Sequence, residues 1–138
     1  MNKKYYFDTS IWLDFFENRN EPNLPKGDFA SVLINKIINE NHKIVFSDAI
    51  KDEMADLGYN EYEVNNLLGP FDKVIIFVEF TKKQFGKAKD LSAKRDIPLL
   101  DALHALIARD NSCIMITRDA HFKRLLDIIK NKKPEDVI

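Results

Sequence analysis

The sequence predicts a three-layer α/β/α sandwich with a central, mainly parallel β-sheet. Short apolar segments typical of buried strands alternate with segments whose apolar residues recur at helical spacing. Parallel strands need crossover connections, and right-handed crossovers place helices on both faces of a sheet. With 138 residues, of which 45% are hydrophobic and 31% are charged, the chain is expected to fold as one domain over residues 1–138.

The chain begins with a predicted strand, a helix and a loop. Residues 5–7 have the aromatic, apolar character of a strand end, and Asp8 follows them directly. Thr9 and Ser10 can cap a helix that carries an apolar stripe. The stripe consists of Ile11, Trp12, Phe15 and Phe16. Two prolines and one glycine predict a loop over residues 18–27.

Two helices and a strand follow this loop. Apolar residues recur at helical spacing over residues 29–38, and residues 44–46 form a short apolar strand. Ser47 precedes a helix over residues 48–57 as its N-cap. These segments repeat the alternation of strand and helix with which the chain begins.

The helix over residues 48–57 carries four acids, which helical spacing separates. Its apolar stripe is formed by Ile50, Met54 and Leu57. Glu53 falls within this stripe, whereas Asp52 and Asp56 point away from it. The spacing supports two interpretations of Glu53 equally: an acid that faces a site, or a boundary residue whose carboxylate reaches water.

Three further segments lead to the middle of the chain. A capping box predicts the start of a short helix over residues 60–68, and a second capping box begins a helix over residues 81–95. Between them, residues 74–78 form a continuous, β-branched apolar run, which predicts a strand. The predicted order of elements therefore remains that of a parallel α/β sheet.

The C-terminal part of the chain contains a strongly apolar helix and an apolar strand. Between Ile97 and Ala108 the strongly polar residues are Asp101 and His104, so this helix is expected to be buried. Residues 113–117 predict a buried strand, and Asp119 lies two residues beyond it. The chain is then predicted to form a helix to about Leu126, a strand near residues 128–129 and a short tail.

Four acids are candidates for one site. Asp8 and Asp119 each follow a strand, and ligands of open α/β sheets bind at the carboxyl ends of the strands. Asp101 is a carboxylate in an apolar helix, and a buried charge is tolerated only when it is paired, neutralised or bound to a metal. Glu53 faces inward in one of its two interpretations. Oxygen ligands suit Mg²⁺ or Mn²⁺, and one or two such ions can activate water for attack on phosphate.

Four segments around these acids resemble, in the same order, the motifs of PIN-domain ribonucleases and of VapC-type toxins in particular. They are residues 6–10, 47–53, 100–105 and 117–122. The resemblance implies a PIN-like fold and an endoribonuclease that hydrolyses RNA with Mg²⁺ or Mn²⁺. The catalytic, metal-binding residues that it implies are Asp8, Glu53, Asp101 and Asp119, with Thr117 as a nearby hydroxyl.

The resemblance also implies partners. Toxins of this family commonly form homodimers, act on RNA and are inhibited by a small antitoxin protein. A separate reason to expect a homodimer is the number of large aromatic residues, which exceeds the apparent need of one small core. These residues are Trp12, Phe15, Phe16 and Phe29.

Two other functions stay open. One is a non-catalytic PIN scaffold that binds RNA or a protein partner, although such a scaffold has no need to keep four mutually repelling carboxylates. The other is a Mg²⁺-dependent phosphotransfer enzyme with Asp8 as nucleophile, although Ser10 stands where a second acid is wanted. Asp48 and Asp52 lie on the same helix as Glu53, and either could take its place in the motif.

The formal net charge of −1 gives no general case for nucleic-acid binding. Basic residues recur at residues 82–95, 118–124 and 130–133, either as a solvated helix face and polar tail or as a phosphate-binding rim. A signal peptide or membrane span is not expected, because Asp8 interrupts the first apolar run. The expected location is therefore cytoplasmic.

The cysteine and the histidines suggest structural roles. Cys113 is the single cysteine, and its place at the start of an apolar strand predicts a small buried hydrophobe. His104 lies one helical turn after Asp101, and this spacing predicts a structural hydrogen bond between them. His42 and His121 lie in polar surroundings and are expected at the surface.

Overall fold

The structure is a computed structural model that describes residues 2–138, and it is organised around a five-stranded sheet; Met1 lies outside the described residues. The strands are β1 (Lys4–Phe7), β2 (Lys43–Ser47), β3 (Ile75–Val78), β4 (Ile114–Ile116) and β5 (Asn131–Lys132). Their order across the sheet is β3-β2-β1-β4-β5, and all pairings among these strands are parallel. All five strands therefore begin at one edge of the sheet and end at the opposite edge, and the crossovers return the chain to the first edge.

Helices flank the sheet, and the predicted three-layer α/β/α sandwich is confirmed. They are α1 (Thr9–Phe16), α2 (Lys26–Asn39), α3 (Asp48–Asp56), α4 (Glu61–Leu68), α5 (Lys82–Arg95) and α6 (Leu99–Asp110). Short 3₁₀ segments cover Gly69–Val74, Ala120–Leu125 and Pro134–Asp136. None of the helices in residues 2–138 is both long enough and apolar enough to span a membrane.

The central strand β1 is the most enclosed part of the sheet. Tyr6 pairs with Val45 of β2 on one side and with Met115 of β4 on the other. The edge strand β3 is only partly covered, and Phe77 at its middle is 58% exposed. Because β1 and β4 are neighbours and parallel, the residues that follow them emerge side by side at one edge.

The apolar helix α6 is buried, as its sequence predicts. All seven residues from Ala102 to Ala108 are buried, including His104. The helix packs against α5 and α3 and follows directly on the turn at Pro98. Asp101 lies in its first turn, where the helix approaches the carboxyl edge of the sheet. Cys113 is also buried, as predicted, and burial raises the pKa of its thiol to about 12.

The large aromatic residues near the N-terminus are used mainly in the core of the same chain. Trp12 is fully buried, and its ring lies 5.1 Å from that of Phe7 and 5.5 Å from those of Phe16 and Phe46. Phe15 packs against Phe71 at 5.5 Å. The surplus of aromatic residues that suggested a dimer is therefore largely taken up by internal packing.

The last part of the chain differs from the prediction. The segment after Asp119 is a 3₁₀ turn that ends at Leu125, and the last strand is β5 rather than residues 128–129. The amides of Ile128 and Ile129 both donate to the carbonyl of Leu125, each at 2.9 Å, so these residues complete a turn. The stripe of α3 is also shorter than predicted, because the helix ends at Asp56 and Leu57 is 57% exposed.

Candidate active site

Asp8 is fixed at the carboxyl end of β1 by hydrogen bonds to both of its carboxylate oxygens. Oδ1 accepts from the amide of Ile11 at 3.1 Å and from the hydroxyl of Ser10 at 2.7 Å. Oδ2 accepts from the hydroxyl of Thr117. Burial raises the pKa of Asp8, and the three donors, of which Thr117 has the largest effect, oppose this rise without cancelling it.

Glu53 reaches the same region from α3. Its Oε1 accepts a hydrogen bond from the Thr9 hydroxyl at 2.5 Å and lies 2.9 Å from Nε2 of His104. Burial raises the pKa of Glu53, but the hydrogen bonds from His104 and Thr9 outweigh burial, so the net shift is downward. Glu53 is therefore ionised at neutral pH and held by two side chains from different helices.

The other acids of α3 have different surroundings. Asp48 accepts a hydrogen bond from the amide of Phe80 at 2.9 Å, which fixes the segment between β3 and α5. Asp52 and Asp56 are exposed. Glu53 is the acid of this helix that lines the cavity described below, which favours the inward interpretation of its spacing.

A buried chain of hydrogen bonds extends from Glu53 into the core. Nδ1 of His104 lies 2.7 Å from the hydroxyl of Tyr6, and that hydroxyl lies 2.7 Å from the hydroxyl of Ser47. Ser47 in turn caps α3 by accepting from the amide of Ile50 at 3.3 Å. The predicted bond between His104 and Asp101 is wrong: the imidazole faces β1 and α3, and both of its ring nitrogens are used there.

Asp101 and Asp119 are the other two acids of the site, and His121 lies between them. Nδ1 of His121 is 3.1 Å from Oδ2 of Asp101 and 3.0 Å from Oδ1 of Asp119. The same Asp119 oxygen accepts the backbone amide of His121 at 2.9 Å and so begins the 3₁₀ turn. The His121 side chain is 48% exposed, so the predicted surface position is correct, but the ring contacts two of the predicted acids.

Asp101 lies in surroundings that disfavour its negative charge. Burial and, after it, the negative charges of Asp119 and Asp8 raise its pKa to about 6. The imidazoles of His104 and His121 oppose this shift but do not cancel it. A carboxylate in such surroundings favours a proton or a cation as its partner.

The four predicted acids line one cavity of about 60 Å³. The residues around it are Asp8, Thr9, Ser10, Glu53, Asp101, His104 and Asp119. Thr117 lies behind this lining and reaches it through Asp8. A water molecule occupies about 30 Å³ in the liquid, so the cavity has room for an ion with about one water molecule but not for a nucleotide.

The donor atoms fit a small divalent cation. One carboxylate oxygen each from Asp101 and Asp119 and one ring nitrogen of His121 lie within 4.8 Å of one another. Asp8 and Glu53 add carboxylates on the opposite wall of the cavity. Oxygen-rich donors around a strongly acidic centre are typical of Mg²⁺ and Mn²⁺ sites.

Basic residues lie on one side of the cavity. A neighbouring depression of about 330 Å³ shares Asp119 with it and is lined by Lys123, Lys132 and Lys133. Arg118 also lies there but binds Glu135 through two hydrogen bonds of 2.7 and 2.8 Å. A larger groove of about 680 Å³ at the opposite ends of β1 and β4 contains none of the four acids.

Sequence reasoning missed the two histidines of the site. His104 and Glu53 are 51 residues apart, and their contact depends on how α3 and α6 pack. His121 did leave a signal, because it lies two residues after Asp119 in a turn that Asp119 caps. Thr9 was identified as a helix cap, but its hydroxyl binds Glu53, and Asp8 is the N-cap of α1.

Comparison with known proteins gives a family and a fold. Residues 5–127 match the family model described as the PIN domain. A chain of VapBC2 from Rickettsia felis, in a crystal structure with a promoter DNA fragment, is 18% identical with a TM-score of 0.64 over 93% of this chain and 98% of that chain. In VapBC-1 from nontypeable Haemophilus influenzae the identity is 18%, the TM-score 0.65 and the coverage 96% and 98%.

A toxin-antitoxin complex from Klebsiella pneumoniae is similar to the same extent, with 17% identity, a TM-score of 0.65 and coverage of 94% and 97%. None of the curated proteins matches the chain in sequence. At these identities the solved structures establish the fold, and the family model, which spans most of the chain, establishes the family. This protein belongs to the PIN domain family.

Proposed function

We propose that this protein is an endoribonuclease that hydrolyses RNA phosphodiester bonds with Mg²⁺ or Mn²⁺. The observation that carries the proposal is the convergence of four carboxylates from separate elements on one ion-sized cavity: Asp8, Glu53, Asp101 and Asp119. Mutually repelling acids in a partly buried position are costly unless a cation joins them. Membership of the PIN domain family supports a nuclease.

The residues of the site have different proposed roles. Asp101 and Asp119 would hold the ion together with Asp8 and Glu53. The bound ion would lower the pKa of a water molecule for attack on phosphorus and stabilise the charge on the departing oxygen. Thr117 and Ser10 orient Asp8, while Thr9 and His104 orient Glu53 and keep it ionised. These contacts hold the carboxylates in place before the ion arrives.

The lysines beside the site support an anionic polymer as the substrate. Lys123, Lys132 and Lys133 line the depression that adjoins Asp119. Since the net charge of the chain is −1, phosphate binding depends on such a local concentration of positive charge. We place the RNA backbone along this side of the cavity.

The phosphotransfer alternative is less well supported. A nucleophilic Asp8 would need a second acid two residues later as its proton donor and acceptor. Ser10 stands at that position, and its hydroxyl donates to Oδ1 of Asp8 at 2.7 Å. The non-catalytic scaffold is the remaining alternative, and the cleavage assay below distinguishes it.

We also propose that the protein acts as the toxin of a toxin-antitoxin pair, with a small antitoxin protein as its partner. The similarity to chains of VapBC and other toxin-antitoxin complexes supports this role. We propose a homodimer as well, because the toxins that the four sequence motifs resemble commonly form one. Light scattering at micromolar concentration tests the dimer, and a monomer there would contradict it.

The test of the nuclease is incubation of the purified protein with mixed cellular RNA, followed by mapping of the RNA ends. We expect cleavage with Mg²⁺ or Mn²⁺ and none with a chelator. Asp101→Asn is the matched control for a contaminating nuclease, because it keeps the size of the side chain and removes its charge. RNA that is bound but left intact with excess metal would favour the scaffold, and full cleavage in chelator would exclude the metal mechanism.

A further inference from the structure

We infer that His121 is a direct ligand of the metal ion and gives the site a preference for Mn²⁺ over Mg²⁺. This inference rests on the proposed function for the presence of an ion. It adds a nitrogen donor to a site that the four acids alone would make entirely of oxygen.

The imidazole nitrogen of His121 lies close to two carboxylates. Nδ1 of His121 lies 3.1 Å from Oδ2 of Asp101 and 3.0 Å from Oδ1 of Asp119. Neighbouring donors of an octahedral ion are about 3 Å apart when the bonds to the ion are about 2.1 Å. The nitrogen thus lies from each oxygen at the separation of adjacent ligands of one ion, and the donor atoms of the three residues all lie within 4.8 Å of one another.

A single proton on Nδ1 cannot serve both carboxylates well. A neutral imidazole with its hydrogen on Nδ1 has a single N–H at that atom, and one N–H forms one well-aligned hydrogen bond. Here the one nitrogen approaches carboxylates from two separate elements, α6 and the segment after β4. An ion between the three groups satisfies both carboxylates and the nitrogen at once.

The three histidines differ in their burial and in the partners of their ring nitrogens. His104 is buried, and its two ring nitrogens lie against Tyr6 and Glu53 at 2.7 and 2.9 Å. His42 is buried and its Nδ1 accepts from the amide of Lys3 at 3.0 Å. His121 is half exposed, so an ion can enter from solvent beside it.

The backbone holds His121 in this position. Its amide donates to Asp119 at 2.9 Å, and the next residue, Phe122, is fully buried in the core. The backbone of His121 is therefore anchored on both sides of the residue, which limits the positions that its ring can take. Imidazole suits transition metals, whereas Mg²⁺ strongly prefers oxygen, so the extra nitrogen favours Mn²⁺.

The test is pulsed electron paramagnetic resonance of the Mn²⁺-loaded protein without RNA. We expect a ¹⁴N coupling from a directly bound imidazole, which changes to the ¹⁵N pattern when the histidines are labelled with ¹⁵N. His121→Ala should lose the coupling and bind Mn²⁺ about tenfold more weakly, with a smaller change for Mg²⁺. His42→Ala is the matched control and should keep both properties.

The outcomes separate this inference from the proposed function. A nitrogen coupling in a protein that leaves RNA intact supports the ligand and contradicts the nuclease. RNA cleavage with bound Mn²⁺ but no nitrogen coupling overturns the ligand alone, and His121 is then only a hydrogen-bond donor to Asp101 and Asp119. Failure to bind Mn²⁺ at millimolar concentration overturns both.

Discussion

The acids of the site fall into two groups, whose negative charges are stabilised in different ways. The inner pair, Asp8 and Glu53, accepts hydrogen bonds from hydroxyls, an imidazole and a backbone amide. The outer group, Asp101, Asp119 and His121, has one imidazole nitrogen shared between two carboxylates, and the amide of His121 donates to Asp119 as well. The fold therefore supplies the inner pair with several donors, whereas we propose that a cation completes the outer group.

The pKa values show that neighbours, and not burial alone, make this difference. Glu53 and Asp101 are both partly buried, and burial raises the pKa of each. Hydrogen-bond donors then bring the pKa of Glu53 below its ordinary value, while the charges of Asp119 and Asp8 bring that of Asp101 to about 6. Hydrogen-bond donors around a carboxylate stabilise its charge and fix its position. Neighbouring acids instead disfavour the charge, so that the carboxylate attracts a cation.

The largest expected effect comes from removing a charge of the inner pair. Glu53→Gln should reduce RNA cleavage by about a hundredfold to a thousandfold, because preorganised charge at the reacting centre is lost. Asp52→Asn and Asp56→Asn are controls on the same helix and should keep most of the activity, since both residues are exposed. Initial cleavage rates with Mn²⁺ measure the ranking. Equal losses of cleavage rate in all three variants would show that α3 contributes only through its total negative charge.

A smaller effect is expected from removing a donor to the inner pair. Thr117→Val deletes the hydroxyl that donates to Asp8 and accepts from the amide of Asp119 at 3.0 Å. We expect cleavage to fall about tenfold and the free energy of unfolding to fall by about 1 to 3 kcal/mol, because buried partners lose their hydrogen bonds. Thr117→Ser keeps the hydroxyl and should retain most of both. Unchanged activity of the Thr117→Val variant would indicate that Asp8 takes no part in the reaction.

The outer group predicts a pH effect on the metal-free protein. The pKa of Asp101 is raised to about 6 in the folded state, so folding favours its protonated form. The contribution of Asp101 to the free energy of unfolding is therefore fully present below about pH 4, the ordinary pKa of an aspartate, and is lost as the pH rises through 6. The loss is about 1 kcal/mol after allowance for solvent screening at a partly exposed group. Denaturant unfolding of wild type and Asp101→Asn between pH 4 and 7 measures it. Parallel curves for the two proteins would contradict the raised pKa.

The smallest effect is expected from the lysines beside the outer group. Lys123→Ala should raise KM for RNA severalfold and reduce its salt dependence, with little change in kcat, because a phosphate contact is lost. Lys73→Ala is the control, since Lys73 lies before β3, at the end of the sheet away from the acids. A change in kcat alone would mean that Lys123 does not bind the RNA backbone.

The sequence predicts the parts of this site that follow from local patterns. Asp8 and Asp119 could be placed because each follows an apolar strand. For Glu53, which shares a helical face with Ile50 and Met54, the spacing supports a site role and a water-facing role equally. The two-residue strand β5 could not be found, since it is too short to show any periodicity.

The contacts that distinguish the inner pair from the outer group depend on packing between elements that are distant in the sequence. Helical spacing places His104 near Asp101, but the imidazole turns toward Tyr6 and Glu53, which belong to β1 and α3. His121 reaches Asp101 across 20 residues because the turn after β4 folds back onto α6. Only the folded arrangement shows which of the acids have donors of their own.

Thermal melting of wild type and Asp101→Asn, in chelator and in Mn²⁺, tests most directly whether the outer group is arranged for a cation. In chelator the variant should melt at the same temperature as wild type or higher, because asparagine removes a repelled charge at nearly constant size. Mn²⁺ should then raise the melting temperature of wild type more than that of the variant, since the ion binds the folded state. A large drop for the variant in chelator, corresponding to a loss of about 3 to 5 kcal/mol, would contradict the account and show that Asp101 is a structural partner of His121.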